Sequence, residues 1–523
     1  MSEKKSISRA TGIMGCATML SRVAGLARDM VIGRLFGAGY ATDAFFMAFT
    51  IPNLLRRFFA EGSLTAAFVP TFSEVYHGQG REEAQRVVNI CWTLLVLVMA
   101  VVTLLGILGS PLIVRLIGYG FGDIAGKLAL TDQLNRIMFP YIFFVSLLSL
   151  VTGVLNVYGH FFLPALSPLF LNLSIIASAF FFKDLFRIPV TALAVGVVVG
   201  GVIQLLAQWP VLRRHGLSLR PDFHFRHPAV KRIAFLMLPG VAGVAIYQIN
   251  VVVTRLMASF LPQGSVSYLY YGQRLFEFPQ GIFVVALAQA VLPAMSRQAT
   301  AGDSEGLKDS LQFSLALIAL VTLPAAVGLM ACSIPVYSLF FLGGEFSYHE
   351  VRQTAFALAA YAPGLVFVGI SRVVVPTFYA LKDTRTPVLI SVFTLIVNVG
   401  LGLWLMQVYS HVGLALALTL ATIFNSAALL WALRRKIGSL GLSAVFGSVV
   451  RMIPPVIAMA AIVVFILHGG PWDNPDARLI QGGLLLAAVL AGVAVFTVGC
   501  LLFRVPEMKH FGEIVRKRLG KGR

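Results

Sequence analysis

The chain has 523 residues, of which 58% are hydrophobic and 12% charged, with a mean hydropathy of +0.86. A water-soluble protein of this length would have too little polar surface to cover its core, so a soluble globular fold is excluded. The net charge of +19 is scattered through short loops between apolar runs, a distribution that fits membrane topology rather than a nucleic-acid partner.

In chain order, residues 1–10 (MSEKKSISRA) are polar and basic. The segment that follows carries two arginines and an aspartate and so lacks the apolar centre of a cleavable signal peptide. Helical spans are expected near 8–36, 40–76 (broken around Pro52 and Gly62), 84–116, 128–158, 163–182, 188–212, 229–260, 265–296, 309–341, 351–380, 386–407, 411–433, 446–468 and 478–503. Most of these contain the roughly 20 apolar residues needed to cross a hydrocarbon layer about 30 Å thick. The alternating ten-residue segments of a membrane β-barrel are absent. The sequence therefore predicts an all-α polytopic membrane protein of fourteen spans. With the N-terminus inside, most Lys and Arg of the loops fall on the inner side, which places both termini in the cytoplasm. The strongest inner markers are Arg213-Arg214-His215 through Lys231-Arg232, Arg434-Arg435-Lys436, and the tail from Arg504 to Arg523.

Cys16, Cys91, Cys332 and Cys500 are far apart, each alone in an apolar run, and read as buried core thiols rather than a disulfide or zinc framework. His224 and His227 lack a third ligand and give no metal site. Gly196 and Gly200 predict a close helix contact. No phosphate-binding loop of the G-x-x-x-x-G-K-[ST] type and no aspartate cluster for Mg²⁺ is found, so neither ATP hydrolysis nor prenyl-phosphate enzymology is read here.

An internal repeat links the halves at one constant offset, that from Pro70 to Pro293. In the same register Ser73 matches Ser296, Ser110 matches Ser333, Gly120 matches Gly343, Pro140 matches Pro363, and Pro164 matches Pro387. Each unit holds an even number of spans, which makes this a parallel repeat of two six-helix lobes with a substrate site between them. The expected divisions are 1–215 (spans 1–6), 216–436 (spans 7–12), and 437–523 (spans 13 and 14 and a basic tail). The last two spans are apolar on every face, which suits packing against the core and lipid and, if they do more, an acyl or prenyl chain rather than a polar solute.

The charges of the first two spans need a reason. Arg22, Arg28, Asp29, Asp43, Arg56, Arg57 and Glu61 lie in otherwise apolar segments, and four arginines there oppose insertion by roughly 10 kcal/mol unless they face water or a partner. On a helix, Arg22 and Asp29 fall within about 20° of one another, with Arg28 about 120° from Arg22. Pro52 lacks the N–H of the helix ladder and predicts a bent or partly unwound backbone near Asn53. Glu61 follows Arg57 by four residues. In the second lobe Tyr270-Tyr271-Gly272-Gln273-Arg274 and Glu277 form a matching group. Arginines facing one another across a cavity suit phosphate oxygens, because the planar guanidinium fork fits them better than an ammonium does. Arg136, Arg255 and Arg372 also fall in or near spans, without an assigned role.

The stretches SRVAGLARD, FGAGYATDAFFMAFTIPNLLRRFFAEG, AFVP, RLFEFPQGI and YALKDTRTPV resemble the MurJ (MviN) family of lipid II flippases in the MOP exporter superfamily. The likeness runs from residue 8 to 436, and the two extra helices also suit that family. It implies a MATE-like arrangement and, without catalysis, transport of the undecaprenyl-pyrophosphate-linked peptidoglycan precursor, lipid II. Transport would run from the inner to the outer leaflet of the bacterial cytoplasmic membrane by alternating access. The family's cavity arginines match Arg22, Arg28, Arg56, Arg57 and Arg274, and its acidic position matches Asp43. Asp29, Asn53, Glu61 and Glu277 fall on supporting positions. Gln273 departs from the family pattern, where relatives have Asp beside the Arg. Some members bind sodium, but no complete carboxylate-rich site is matched, so no metal or other cofactor is assigned and a coupling ion or the membrane potential stays open. The implied partners are lipid II, membrane lipids and the cell-wall synthesis machinery. Two alternatives remain: an exporter of drugs or of another polyprenyl-linked glycan on the same fold, and a non-transporting cell-wall scaffold.

Overall fold

A computed structural model of the chain describes residues 3–58 and 64–508. It divides into two compact units, Met1–Ser267 and Tyr268–Arg523.

The first unit contains α1 (Glu3–Phe36), α2 (Tyr40–Phe58), α3 (Leu64–Gly78), α4 (Arg81–Leu108), α5 (Ser110–Ile117), α6 (Lys127–Met138), α7 (Tyr141–Val157), α8 (Phe162–Phe181), α9 (Thr191–Arg214) and α10 (Pro228–Ser259). Its core joins α3, α4, α7, α9 and α10 around Phe68, Phe72, Val88, Leu150 and Leu155. The second unit contains α11 (Ser265–Pro279), which begins in the last residues of the first, α12 (Val285–Thr300), α13 (Ser304–Ala331), α14 (Ser333–Phe341), α15 (Tyr348–Tyr361), α16 (Gly364–Ala380), α17 (Arg385–Ile437), α18 (Leu442–Leu467) and α19 (Arg478–Leu502). There α13, α18 and α19 share a core of Met452, Met459, Val463, Ala488 and Phe496.

Eight helical segments of the described residues are long and apolar enough to span a membrane, and nine if the bent pair α15–α16 is counted as one span. Many of their large apolar side chains point outward, among them Phe181, Phe465, Leu479 and Leu502. That is the surface a helix turns to acyl chains, since no water is available to penalise it.

The helix boundaries repeat in the register of the sequence repeat. α4 begins at Arg81 and α13 at Ser304, the matching position, and both run for 28 residues. α5 and α14 start at the matched Ser110 and Ser333, and α7 (Tyr141–Val157) and α16 (Gly364–Ala380) coincide at both ends. The matched prolines explain the shared breaks: Pro140 and Pro363 sit between the members of a helix pair, where each lacks the N–H that would have continued the ladder. α17 contains one reversal, at Ser410, with φ 53° and ψ −133°. This separates the segments expected at 386–407 and 411–433.

Two expectations change. α2 remains helical through Pro52, so the unwinding expected near Asn53 does not occur; one missing N–H is tolerated within a helix that keeps its other bonds. Cys16 is exposed on α1, whereas Cys91, Cys332 and Cys500 are buried thiols. An apolar run in a membrane helix has a lipid-facing side, so solitary apolar context does not by itself mean core. Glu61, Gly62 and the tail from residue 509 lie outside the described residues. The Gly196–Gly200 contact is present: a Cβ on Gly196 would lie 2.9 Å from Ile175 Cα, and one on Gly200 would lie 3.1 Å from Leu171 Cα, both on α8.

Candidate functional site

In the first unit the charges of α1 and α2 are organised around two buried nodes. Arg28 and Asp29 are 4% and 1% exposed. The Arg28 guanidinium donates to Asp29 Oδ1 from Nε at 3.0 Å and from Nη2 at 2.6 Å, and from Nη1 to Asn172 Oδ1 at 3.1 Å. Asn172 Nδ2 in turn donates to the Ser21 carbonyl at 3.1 Å, fastening α8 to α1. A planar fork with five donors can bridge a carboxylate and an amide in this way. Adjacent positions on a helix diverge by about 100°, yet the long arginine side chain curls back to its neighbour. Arg22, one turn and a half earlier, is half-buried and has no hydrogen bond or ion pair among the described residues.

The second node is Asp43, at the start of α2. The one-residue return at Gly37 (φ 69°) and the Gly39 carbonyl, which receives the Asp43 N–H at 2.9 Å, set this carboxylate at the helix N-terminus. It is 1% exposed and accepts four bonds: Lys127 Nζ at 2.9 Å, Gly264 N at 2.8 Å, Ser267 N at 2.9 Å and Ser267 Oγ at 2.7 Å. Lys127 is fully buried, with its ammonium 4.1 Å from the centre of the Phe121 ring. Burying two ions costs several kcal/mol each, and only a saturated set of hydrogen bonds compensates. Gly264 donates from φ +92°, a conformation that glycine adopts freely.

Farther along α2, Asn53 Oδ1 accepts from Arg56 Nε at 3.2 Å and Nη2 at 3.0 Å. Arg56 and Arg57 are half-buried in the last turn. From Ser21 to Glu61 the sequence holds five arginines, Arg22, Arg28, Arg34, Arg56 and Arg57, and three carboxylates, Asp29, Asp43 and Glu61. Lys127 already neutralises Asp43, which leaves five guanidiniums and two carboxylates in this stretch of sequence, a formal surplus of three positive charges.

In the second unit Arg274 pairs with Glu277 at 3.4 Å, with both side chains about a third exposed, and its guanidinium lies 5.4 Å from the Tyr270 ring centre. Gln273 beside it is half-buried. α11 ends at Pro279, and Gln280–Val284 form one π-helical turn before α12. Such wide turns are frequent at functional sites, where they re-aim neighbouring side chains.

The structure adds Asn172, Lys127 and Ser267 to the residues singled out by sequence. Asn172 is the lone amide in LFLNLSIIAS, a legible signal; Lys127 opens an unremarkable polar stretch and gave none. The charged positions first identified contain no lysine, yet a buried lysine proves to be the counter-charge of Asp43. Outside these nodes, Arg136 pairs with Asp132 at 2.9 Å, Arg255 donates to the Val266 carbonyl at 3.1 Å, and Arg372 is exposed. His224 bonds Asp222 at 2.6 Å and His227 bonds Glu83 at 2.7 Å. No group of three metal-ligating side chains occurs among the described residues.

The family model for the lipid II flippase MurJ matches residues 32–472. A probable lipid II flippase MurJ of Vibrio cholerae is 38% identical over 426 residues, covering 80% of this chain and 81% of its own length. The lipid II flippase MurJ of Burkholderia cenocepacia is 36% identical over 492 residues, covering 92% and 95%. Among solved structures, a lipid II flippase MurJ in an inward closed conformation superposes with a TM-score of 0.75 at 26% identity, covering 93% of this chain and 99% of that one. An inward-facing MATE-family multidrug transporter of the MOP superfamily gives 0.67 at 14% identity, covering 82% and 98%, which shows a shared fold.

Proposed function

The chain belongs to the MurJ family of lipid II flippases, and from that premise we propose that its arginines carry the pyrophosphate of lipid II across the bacterial cytoplasmic membrane. Movement runs from the inner to the outer leaflet by alternating access, with fourteen crossings and both termini in the cytoplasm. The observation that supports this most is the surplus of three positive charges between Ser21 and Glu61, in otherwise apolar segments. A pyrophosphate diester brings about two negative charges and oxygens suited to guanidinium forks, which would offset the insertion cost of the arginines.

Arg22, Arg56 and Arg57 of the first unit and Arg274 of the second contact the anion in this reading. Arg28 contributes charge while held by Asp29 and Asn172. Asp43 enters the path only in a state in which its four donors have let go. Asn53, Glu61 and Glu277 orient the arginines. The membrane potential resets the cationic cavity, the apolar α18 and α19 accompany the prenyl chain, and the cell-wall synthesis machinery receives the product.

Binding of purified full-length protein to lipid II, to a monophosphate-linked analogue and to undecaprenyl phosphate tests this. Arg57→Gln and Arg274→Gln are the informative variants, because Arg28 is tied into the fold. Preferential lipid II binding that both variants weaken at least tenfold, with unchanged melting temperature, is expected. Equal binding of the three lipids by wild type and variants would overturn the site assignment and favour a general exporter. Loss of folding in both variants would favour a scaffold whose arginines are structural.

A further inference from the structure

Each unit ends its sixth span with a tryptophan followed four residues later by an arginine over its ring. In the first unit α9 closes with Trp209-Pro-Val-Leu-Arg213-Arg214, and the Arg213 guanidinium carbon is 5.7 Å from the Trp209 ring centre. In the second, α17 closes with Trp431-Ala-Leu-Arg434-Arg435-Lys436, and Arg435 lies 4.2 Å from the Trp431 ring. Trp431 falls a single position short of the repeat partner of Trp209, so the same device occupies the same place in both units.

Three features distinguish these groups from ordinary span-end charge. First, Arg213, Arg214, Arg434 and Arg435 are exposed and have no carboxylate partner among the described residues. Lys436, the next residue, is taken up by Asp383 at 2.6 Å. Second, a guanidinium lying over an indole is held flat with its N–H edge turned outward, which orders the donors for an incoming anion at little further entropic cost. Third, each arginine continues an exposed apolar stripe of its own helix. On α17 the stripe is Leu420, Phe424 and Trp431, and on α9 it is Ile203 and Leu206. At 3.6 residues per turn these positions share a face. An apolar track that ends in an aromatic ring and a fixed cation has the profile of a phospholipid: chain, interface, headgroup.

We propose that Trp431 with Arg434 and Arg435, and Trp209 with Arg213 and Arg214, form two binding sites for the headgroup phosphate of an anionic phospholipid. The two arginines of each site supply two positive charges, against one on the headgroup. Lipid selectivity therefore resides in net charge: phosphatidylglycerol is retained, while phosphatidylcholine, whose own cation meets the arginines, is not. These sites are separate from the arginines of α1, α2 and α11 and stand whether or not those bind lipid II.

Native mass spectrometry of the full chain, delipidated in detergent and titrated with phosphatidylglycerol or phosphatidylcholine, tests the proposal. Wild type is expected to retain two phosphatidylglycerol molecules more tightly than phosphatidylcholine. Arg434→Gln with Arg435→Gln should remove one, and Arg213→Gln with Arg214→Gln the other, each loss being about tenfold or more in affinity and shrinking in salt. Trp431→Leu should weaken retention at its site with both arginines intact. Arg297→Gln, at an exposed span end without a tryptophan, should change nothing. Equal retention of both lipids, an Arg297 effect as large as that of Arg435, or inorganic phosphate binding as tightly as phosphatidylglycerol would overturn it. Melting temperatures of the variants identify any that fail to fold, and for those the tryptophan substitutions Trp209→Leu and Trp431→Leu give the readout.

Discussion

The two units share one helix pattern in the register of the sequence repeat, but their charges are handled in opposite ways. In the first, Arg28, Asp29, Asp43 and Lys127 are buried and tied to several partners each. In the second, Arg274 and Glu277 form a long contact, with both side chains about a third exposed. The position equivalent to Lys127 is Glu350, which closes a surface capping box with Ser347, and the position equivalent to Asp43 is the apolar Val266. The scaffold was duplicated, then, while the buried ions of the polar nodes, Arg28, Asp29, Asp43 and Lys127, all come from one copy. Buried saturated ions define a structure; half-exposed ones remain available to a ligand.

The sharpest way to break this contrast is to remove one member of the buried pair. Lys127→Met should leave Asp43 as an uncompensated buried carboxylate and destabilise the first unit by about 3–5 kcal/mol. Thermal unfolding in detergent measures it, and Asp43→Asn added to Lys127→Met should recover much of the loss. Arg274→Gln, in contrast, should alter stability by no more than about 0.5 kcal/mol while abolishing transport. If Arg274→Gln proves as destabilising as Lys127→Met, the distinction between structural and available charge fails.

A second test exchanges packing between the copies. Gly196 on α9 presses against α8, and its repeat partner is Thr419, a buried residue whose hydroxyl donates to the Ala360 carbonyl at 2.7 Å. Gly196→Thr should cost about 1–3 kcal/mol, because the backbone of Ile175 cannot retreat as a flexible side chain would. Thr419→Gly should cost about 1–2 kcal/mol through a lost hydrogen bond and added backbone freedom. A tolerated Gly196→Thr would show that the two interfaces are interchangeable.

The scaffold was legible in the sequence because it rests on patterns that are local or periodic. Apolar run length marks the helices, and prolines at one offset mark their shared breaks. The polar nodes were only half legible. Arg28, Asp29 and Asp43 stand out because charge in an apolar run is costly. What each charge touches depends on which helices pack together, so Asn172, Lys127 and Ser267, which lie 144, 84 and 224 residues from their partners, were not readable as those partners. The half-burial of Arg274 could not be read either, since its motif looks like that of the first unit.

The smallest expected effect separates the loops that close each unit's fourth and fifth spans. In the second unit Asp383 accepts from Lys436 at 2.6 Å and from Thr386 N and Oγ1 at 3.0 and 2.8 Å, which holds its carboxyl down at about 2. The equivalent position in the first unit is His160, whose ring lies 4.5 Å from that of His215. His215 also packs on Tyr158, and its carbonyl receives a hydrogen bond from Arg81. Burial, His160 and the Arg81 charge together push the His215 imidazole below its ordinary value. A carboxylate with a depressed value contributes stability above the unfolded value near 4, and loses it only as pH falls towards 2. For a depressed imidazole it is the neutral form that the fold favours, so its contribution is complete above about 6.5 and erodes as pH falls below that. Between pH 7 and pH 5 the first loop should therefore loosen while the second does not. Hydrogen exchange of residues 158–161 and 381–386 should show protection falling several-fold in the first segment, after correction for intrinsic rates, and holding in the second. His215→Phe should flatten the first profile, because the ring contacts survive without a proton to gain. Parallel loss of protection in both segments would mean that the histidine pair is not what distinguishes the two loops.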